Sequence, residues 1–262
     1  AWIDGDHQVL YDHPKCIFLK YSSYKSQLKH NDFILSGDVK KDLLIQHYNG
    51  KLIRRSKNQI PLIGFDGIAT YPILRLGGLI FKNSLAVLAH YFLSTGYVPD
   101  PVFPPFLKRK QIIHLLEQID GIHTNFNIRD SFAIGTRGGN KAARNEYINN
   151  IIGSDYTLCY RGAANYSLRL YESLCLGRIP LFINTDCKLP FEEQINWQDI
   201  CIWVDDDELS RIGDIIIDFH QSMTNNQFIE KQVYCRELWI KYFSKEGFYN
   251  QFYNYLNTNL KN

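Results

Sequence analysis

What the chain lacks narrows it first. Its only methionine is Met223 and its first residue is Ala1, so the native N-terminus is expected to be missing and this end decides nothing about targeting. No signal-peptide pattern opens it, and no uninterrupted apolar run approaches the roughly 20 residues that cross a bilayer, so no membrane span is expected in this chain. The cysteines at 16, 159, 175, 187, 201 and 235 form no CxxC pair and no Cys/His cluster. That spacing indicates neither a zinc site nor a redox motif. A formal net charge of only +2 leaves no broad positive field, and hence no nucleic-acid partner. P-loop spacing, a dinucleotide fingerprint and internal repeats are missing too.

What is present is apolar and aromatic. With 17 Tyr and 16 Phe among 262 residues, the chain has material for a substantial core, in one large α/β domain or two lobes. The stretch from Asp155 to Phe191 reads as a strand, a polar turn, an amphipathic helix, a second strand and an exit loop. This is the order of half a nucleotide-binding α/β unit. Tyr156 to Tyr160 is a β-branched and aromatic run that stops at Arg161-Gly162. Ser167 is placed to cap a helix that begins at Leu168 and stops at Gly177. Leu168, Tyr171, Leu174 and Cys175 recur at helical spacing and are expected on the sheet, with Arg169 and Glu172 on another face. Ile179 to Ile183 then delivers Asn184, Thr185 and Asp186.

Ligands of open α/β sheets lie beyond the carboxyl ends of the strands, so Arg161, Asn165, Ser167 and Asp186 are expected on one rim. Free N–H groups and the helix dipole suit a diphosphate there, and Arg161 adds a bidentate clamp. Glu172, one turn further in, suits the two hydroxyls of a ribose. The competing reading makes Arg169 and Glu172 a surface ion pair and Arg161 a solvated turn residue.

The same stretch carries Cys159, Arg161-Gly162, Ser167, Arg169, Glu172, Gly177, Ile179-Pro180 and Leu189-Pro190-Phe191, followed by Ile195-Asn196-Trp197. In this order they resemble the signature of the exostosin-like glycosyltransferases, glycosyltransferase family 47. The chain departs from that pattern at Tyr160, where the family usually has Pro, and at Arg178, where it usually has Cys or another small residue.

The rest of the chain is read around this stretch. Residues 1–60 form a small mixed region with strands at Val9–Tyr11, Cys16–Tyr21 and Phe33–Leu35 and a helix at Val39–His47; Lys51 to Asn58 is a polar connector. Pro61 to Phe65 begins a new strand that turns at Asp66-Gly67, and Leu79–Leu93 is an apolar helix. The proline-rich run 98–105 is an extended surface segment. Lys108–Gln118 is a helix whose basic start suits a solvated face. A short strand at Phe132–Ile134 leads to a Gly-rich loop in which Arg137 is a candidate phosphate contact. Lys141–Ile152 is the next helix, and Arg144 on it matches a basic position of the family. Ile200–Val204 is a further strand. The acids at 205–208 are read as dipole partners of the helix Leu209–His220. An aromatic stripe over 227–256, including Phe248, Phe252 and Tyr255, is core that can cross back onto the first lobe.

The resemblance implies an α/β fold of the GT-B type. A Rossmann-type donor domain spans 61–245, a short acceptor-side lobe spans 1–60, and a C-terminal helix at 246–262 crosses back. It implies an inverting transfer of a sugar from a nucleotide-sugar, usually UDP-linked, to a glycan hydroxyl, with no bound metal and no cofactor. Arg161, Gly162, Asn165, Ser167, Arg169, Glu172, Arg137 and Arg144 would bind the donor. Asp6, in an Asp-His pair like one in the family's first domain, is the candidate base. A partner domain or subunit would complete the short lobe. The alternatives are a non-catalytic sugar-nucleotide-binding subunit, a fucosyltransferase-like enzyme and an unrelated α/β binding module. The sequon Asn165-Tyr166-Ser167 falls inside the site, which favours a cytoplasmic location over the Golgi lumen.

Overall fold

Strands covered on both faces must be apolar almost throughout, and Tyr156–Cys159 and Ile179–Ile183 are buried at every position. The computed structural model describes residues 2–3, 16–29, 32–36, 41–69, 73–93, 99, 101–129 and 140–259. Among them, two parallel sheets form. The small sheet holds β1 (Trp2–Ile3), β2 (Phe18–Lys20) and β3 (Asp32–Ile34), in that order. It is followed by α1 (Leu43–Tyr48), which Asp42 caps by accepting from the amides of Leu44 and Ile45. The expected strand at Val9–Tyr11 lies outside the described residues, as does the pair Asp6-His7.

The large sheet is built from β4 (Leu62–Ile68), β5 (His123–Arg129), β6 (Tyr156–Cys159), β7 (Ile179–Asn184) and β8 (Ile202–Asp205), ordered β5-β4-β6-β7-β8. All its pairings are parallel. Between the strands run α2 (Ile73–Leu93), α3 (Pro105–Glu117), α4 (Lys141–Gly153) and α5 (Leu168–Cys175), and β8 is followed by α6 (Ile212–Gln221), α7 (Asn225–Tyr242) and α8 (Lys245–Asn259). Because β5 lies on one side of β4 and β6 on the other, the chain reverses direction at β4. That point, at the carboxyl ends of β4 and β6, is where such sheets bind ligands.

Several elements differ from their sequence reading. β4 does not turn at Asp66-Gly67 but continues to Ile68. Asp66 is 1% exposed, and the strand tolerates it because Arg129 on β5 donates to both carboxylate oxygens at 2.5 and 2.7 Å, and Asn127 adds a third bond at 2.8 Å. β5 itself has the polar sequence His-Thr-Asn-Phe-Asn-Ile-Arg, an edge strand without the apolar run that marks its neighbours. The strand expected at Phe132–Ile134 lies outside the described residues. In α2, Leu76–Leu93 has a mean hydropathy of 1.3 and is 6% buried, long and apolar enough to cross a membrane by length and composition. The sequence reading finds no apolar run of this length. Lys82, Asn83 and Ser84 interrupt the apolar residues and hide the helix from a search for an unbroken run.

The connector is pinned rather than loose. Lys57 donates to the carbonyls of His220 and Met223, and Arg55 pairs with Asp155 at 3.1 Å. Arg178, one of the two departures from the family pattern, is fully buried and donates to the carbonyls of Ile53, Ile152 and Gly177 and to Gln232. It ties the connector and α4 to β7 and α7. At the far end, α8 sets Phe252 and Tyr255 against Phe33 of β3, with ring centroids 4.9 and 4.5 Å apart.

His220 closes the amino-end side of the sheet. It is 2% exposed, 2.9 Å from the Tyr156 hydroxyl through Nδ1 and 2.9 Å from the Asn58 carbonyl through Nε2. Since Nε2 must donate to that carbonyl, Nδ1 accepts from Tyr156 and the ring is neutral. Burial, the largest cause, lowers its pKa below 6.5. A folded-state pKa below the unfolded one gives stability that is complete above the ordinary histidine range and is lost as pH falls through about 6.5. The melting temperature is expected to drop between about pH 7.5 and 5.5. His220→Gln should make that slope shallower, and an unchanged slope would count against the assignment.

Candidate functional site

A cleft of about 820 Å³ opens at the carboxyl ends of β6, β7 and β8, within the range of small-molecule sites. Its floor carries Tyr160 and Arg161 just after β6, Asn184 at the end of β7 with Asp186 beyond it, and Asp205 at the end of β8 with Asp206 beyond it. Pro101, Phe103, Pro104 and Leu107 form an apolar wall, and Tyr24 closes the side of the small sheet.

Arg161 is the best-fixed cation of this cleft. It is 6% exposed, donates to the Tyr24 hydroxyl at 2.5 Å and to the Ala163 carbonyl at 3.1 Å, and lies 5.4 Å over the Tyr24 ring. The solvated-turn reading is thereby overturned. Its own carbonyl accepts from Arg109 at 2.6 Å, and Arg109 donates equally to the Ile68 carbonyl. One guanidinium thus bridges the ends of β4 and β6 at the point of strand reversal. Arg109 was expected on a solvated face; its burial, together with neighbouring Arg169, lowers its pKa to about 10. A guanidinium suits this place because its fork of N–H donors satisfies two carbonyls at once.

The other expected donor contacts separate into two groups. Asn165 is fully buried and bridges to the next loop, donating to the Thr185 carbonyl at 3.0 Å and accepting from the Thr185 hydroxyl at 2.6 Å. This amide is not exposed to carry a glycan in the folded chain, so the sequon no longer argues about compartment. The Gly162 amide donates to the Tyr166 carbonyl at 3.0 Å and closes the same turn. Ser167 has N-cap backbone geometry, yet its hydroxyl makes no capping bond; the Leu170 amide is taken by the Ser167 carbonyl at 3.2 Å. The first turn of α5 therefore has no side-chain cap. Leu168, expected on the sheet, is 38% exposed, and Leu170 takes its place in the core.

Glu172 and Arg169 lie away from the cleft lining. Glu172 is 5% exposed and accepts from Arg144 at 2.7 Å and from the Tyr147 hydroxyl at 2.5 Å. Arg169 does not pair with it, but donates to the carbonyls of Leu158 and Asp66 and stacks 4.3 Å from the Phe65 ring. The surface ion pair is thus excluded. Burial, and then the Glu172 charge, holds the Tyr147 phenol well above its ordinary pKa, so it stays a donor. Arg137 and Asp6 lie outside the described residues.

Sequence reasoning missed the acidic side of the cleft. Asp205 ends β8 and accepts from Asn184 at 2.6 Å and from Trp203 at 3.1 Å, while Asp206 lies 3.6 Å from Lys108. A short 3-10 turn, Leu209–Arg211, separates these acids from α6, whose first turn holds Asp214 instead. They are cleft-lining groups, not partners of that helix dipole. Tyr160, at the second departure from the family pattern, lines the cleft with its pKa pushed up to about 12 by burial and then by Asp206. No group of three potential metal ligands occurs among the described residues. The signal that would have found this wall was positional: Asp205 ends the last strand of the sheet and Asp206 and Asp207 follow it, a place like that of Arg161 beyond β6.

The loop after β7 ties the cleft to the small sheet. Asp186 has φ +56 and accepts from the Ser26 amide and hydroxyl, the Lys25 amide donates to the Asp186 carbonyl at 2.8 Å, and Tyr24 bridges Cys187.

Residues 109–218 match the model of the Exostosin GT47 domain. The chain is 34% identical over 87 residues to a probable glucuronoxylan glucuronosyltransferase, IRX7, of Arabidopsis thaliana, covering 33% of this chain and 19% of that protein. It is 30% identical over 100 residues to Exostosin-1 of Drosophila melanogaster, covering 38% and 13%. It is also 38% identical over 61 residues to a probable beta-1,4-xylosyltransferase, IRX10L, of Arabidopsis thaliana, covering 23% and 15%. The alignments span less than a fifth of the length of these relatives.

Glu172→Gln tests the internal role of that carboxylate. Losing the charge that Arg144 and Tyr147 face is expected to cost about 1–3 kcal/mol in chemical denaturation, discounted because Arg144 is 30% exposed. A change within about 0.5 kcal/mol would show that Glu172 is not part of the fold's support.

Proposed function

We propose, from the premise that this chain carries an exostosin GT47 domain, that it serves a glycosyltransferase of GT-B type in which the cleft binds a nucleotide-sugar. The observation that carries this reading is Arg161, a cation held in the cleft at the carboxyl end of β6 by Tyr24 and Arg109. The diphosphate of the donor, in the family's usual case UDP, is placed against Arg161 and the uncapped first turn of α5, where charge and free N–H groups favour an anion. Gly162 and Ser167 lie between these two positions. Arg169 and Arg144 support the strand ends and α4 behind them, and Glu172 reaches a ribose only by exchanging Arg144 for its hydroxyls.

The transfer needs a base. Among the described cleft residues Asp206 is the carboxylate suited to it, because its side chain is 40% exposed and its one ion partner, Lys108, is 3.6 Å away. It takes the proton of the acceptor hydroxyl as that oxygen bonds to the anomeric carbon. The bond from that carbon to the diphosphate oxygen breaks with its electron pair, and Arg161 stabilises the leaving charge. The configuration at the sugar inverts. The short first sheet, with Tyr24 on the cleft rim and Ser26 bonded to Asp186, is the acceptor side.

A second reading, a non-catalytic subunit that holds sugar nucleotide, is favoured by one observation: the Glu172 carboxylate is already engaged by Arg144 and Tyr147. Relatives that build glycans and a helix of membrane-crossing length do not support a cytoplasmic location; a Golgi lumen is consistent with both.

Thermal unfolding with and without UDP tests the reading. UDP at about a hundred times its dissociation constant is expected to add about 2.7 kcal/mol, and Arg161→Ala should weaken binding about ten- to a hundredfold, as loss of a charged hydrogen-bonding group does. Turnover of a sugar nucleotide separates enzyme from subunit. UDP binding without any turnover would favour the subunit, and no UDP binding would remove both.

A further inference from the structure

The lining of the cleft carries more acid than a general sugar-nucleotide site needs. Its described titratable side chains are Arg161 and Lys108 on the positive side and Asp186, Asp205, Asp206 and Asp207 on the negative. Only Asp206 has a cationic partner among them. Asp186 is bonded by Ser26, and Asp205 by Asn184 and Trp203, all neutral donors that leave the carboxylate charge in place.

The charges are also segregated. Arg161 sits after β6, next to α5, whereas Asp186 follows β7 and Asp205 to Asp207 follow β8, across the sheet. With the diphosphate at Arg161 and the nucleoside on the α5 side, the attached sugar faces the carboxylates. Once that diphosphate has engaged Arg161, Lys108 is the one remaining cation among the described lining residues, and it is already beside Asp206. In a partly closed cleft like charges interact at reduced dielectric, and placing them together is how sites reject a partner of the wrong charge.

We infer that the transferred sugar is uncharged, a neutral pentose or hexose rather than a uronic acid, because the uronate carboxylate would stand against Asp186 and Asp205–Asp207. The inference rests on the donor reading of this cleft and goes beyond it. The relatives named above include both glucuronosyl and xylosyl transferases, and likeness to them does not choose between the two. The acidic wall does, and it does so with the group that also supplies the base.

Competition against UDP by calorimetry, with UDP-xylose, UDP-glucose and UDP-glucuronate as probes, tests it. UDP-xylose or UDP-glucose is expected to bind at least about tenfold more tightly than UDP-glucuronate. The gap should shrink when Asp207→Asn removes an exposed acid, shrink further in the Asp206→Asn/Asp207→Asn double variant, and shrink in high salt. Circular dichroism of each variant establishes that it is folded, and Asp207→Asn alone suffices if the double variant is not. UDP-glucuronate binding as tightly as the neutral donors, or a gap indifferent to Asp207, overturns the inference while leaving the donor reading intact. UDP failing to bind at all overturns the donor reading, and this inference with it.

Discussion

Arg161 holds the two halves of the structure to one cleft. Its side chain reaches Tyr24 beside the small sheet, its carbonyl is held by Arg109 from α3, and Arg109 in turn reaches the end of β4. Through these bonds the point of strand reversal, the cleft floor and the small sheet are fixed together. The loop after β7 adds a second tie through Asp186 and Cys187. A cation placed this way is already oriented when a ligand arrives, so little conformational entropy remains to be lost on binding.

Arginine does an unusual share of the internal work. Arg109, Arg169 and Arg178 all donate to backbone carbonyls, and none of them has a carboxylate partner among the described residues. Burial depresses the pKa of both Arg109 and Arg178 to about 10, which still leaves them charged at neutral pH. The cost of burying a guanidinium is offset by its several N–H donors meeting carbonyls that the sheet leaves open at its ends. Arg178, where the family usually has a small residue, is this device at the amino end of β7. Tyr160, where the family usually has proline, directly follows β6 and lines the cleft floor.

The legible parts of the fold were those whose burial is one-sided or complete. β6, α5 and β7 are named by their apolar runs and by Gly177, whose φ of +63 is the left-handed stop a helix end calls for. β5 was not legible, because an edge strand pairs on one side and can be polar. The end of β4 was misread because Asp66 looks like a turn residue until Arg129, 63 positions away, is known to face it. Of the site, Arg161 was legible from its place after a strand. Tyr24 was not, since it reaches the cleft only through tertiary packing, and the Asp205–Asp207 wall, though it stands at the end of β8 as Arg161 stands after β6, was read as a set of helix-dipole partners. Glu172 was assigned by spacing to a rim that it does not line, and its partners, Arg144 and Tyr147, come from α4.

The central claim is spatial: the phosphates of the donor lie at the carboxyl end of β6 against Arg161, with the sugar directed toward β8. A crystal soaked with UDP reads this directly. The diphosphate is expected within hydrogen-bonding distance of the Arg161 guanidinium; diphosphate density at Arg144 and Glu172 instead, with Arg161 left on Tyr24 and Ala163 as in the free chain, would contradict it.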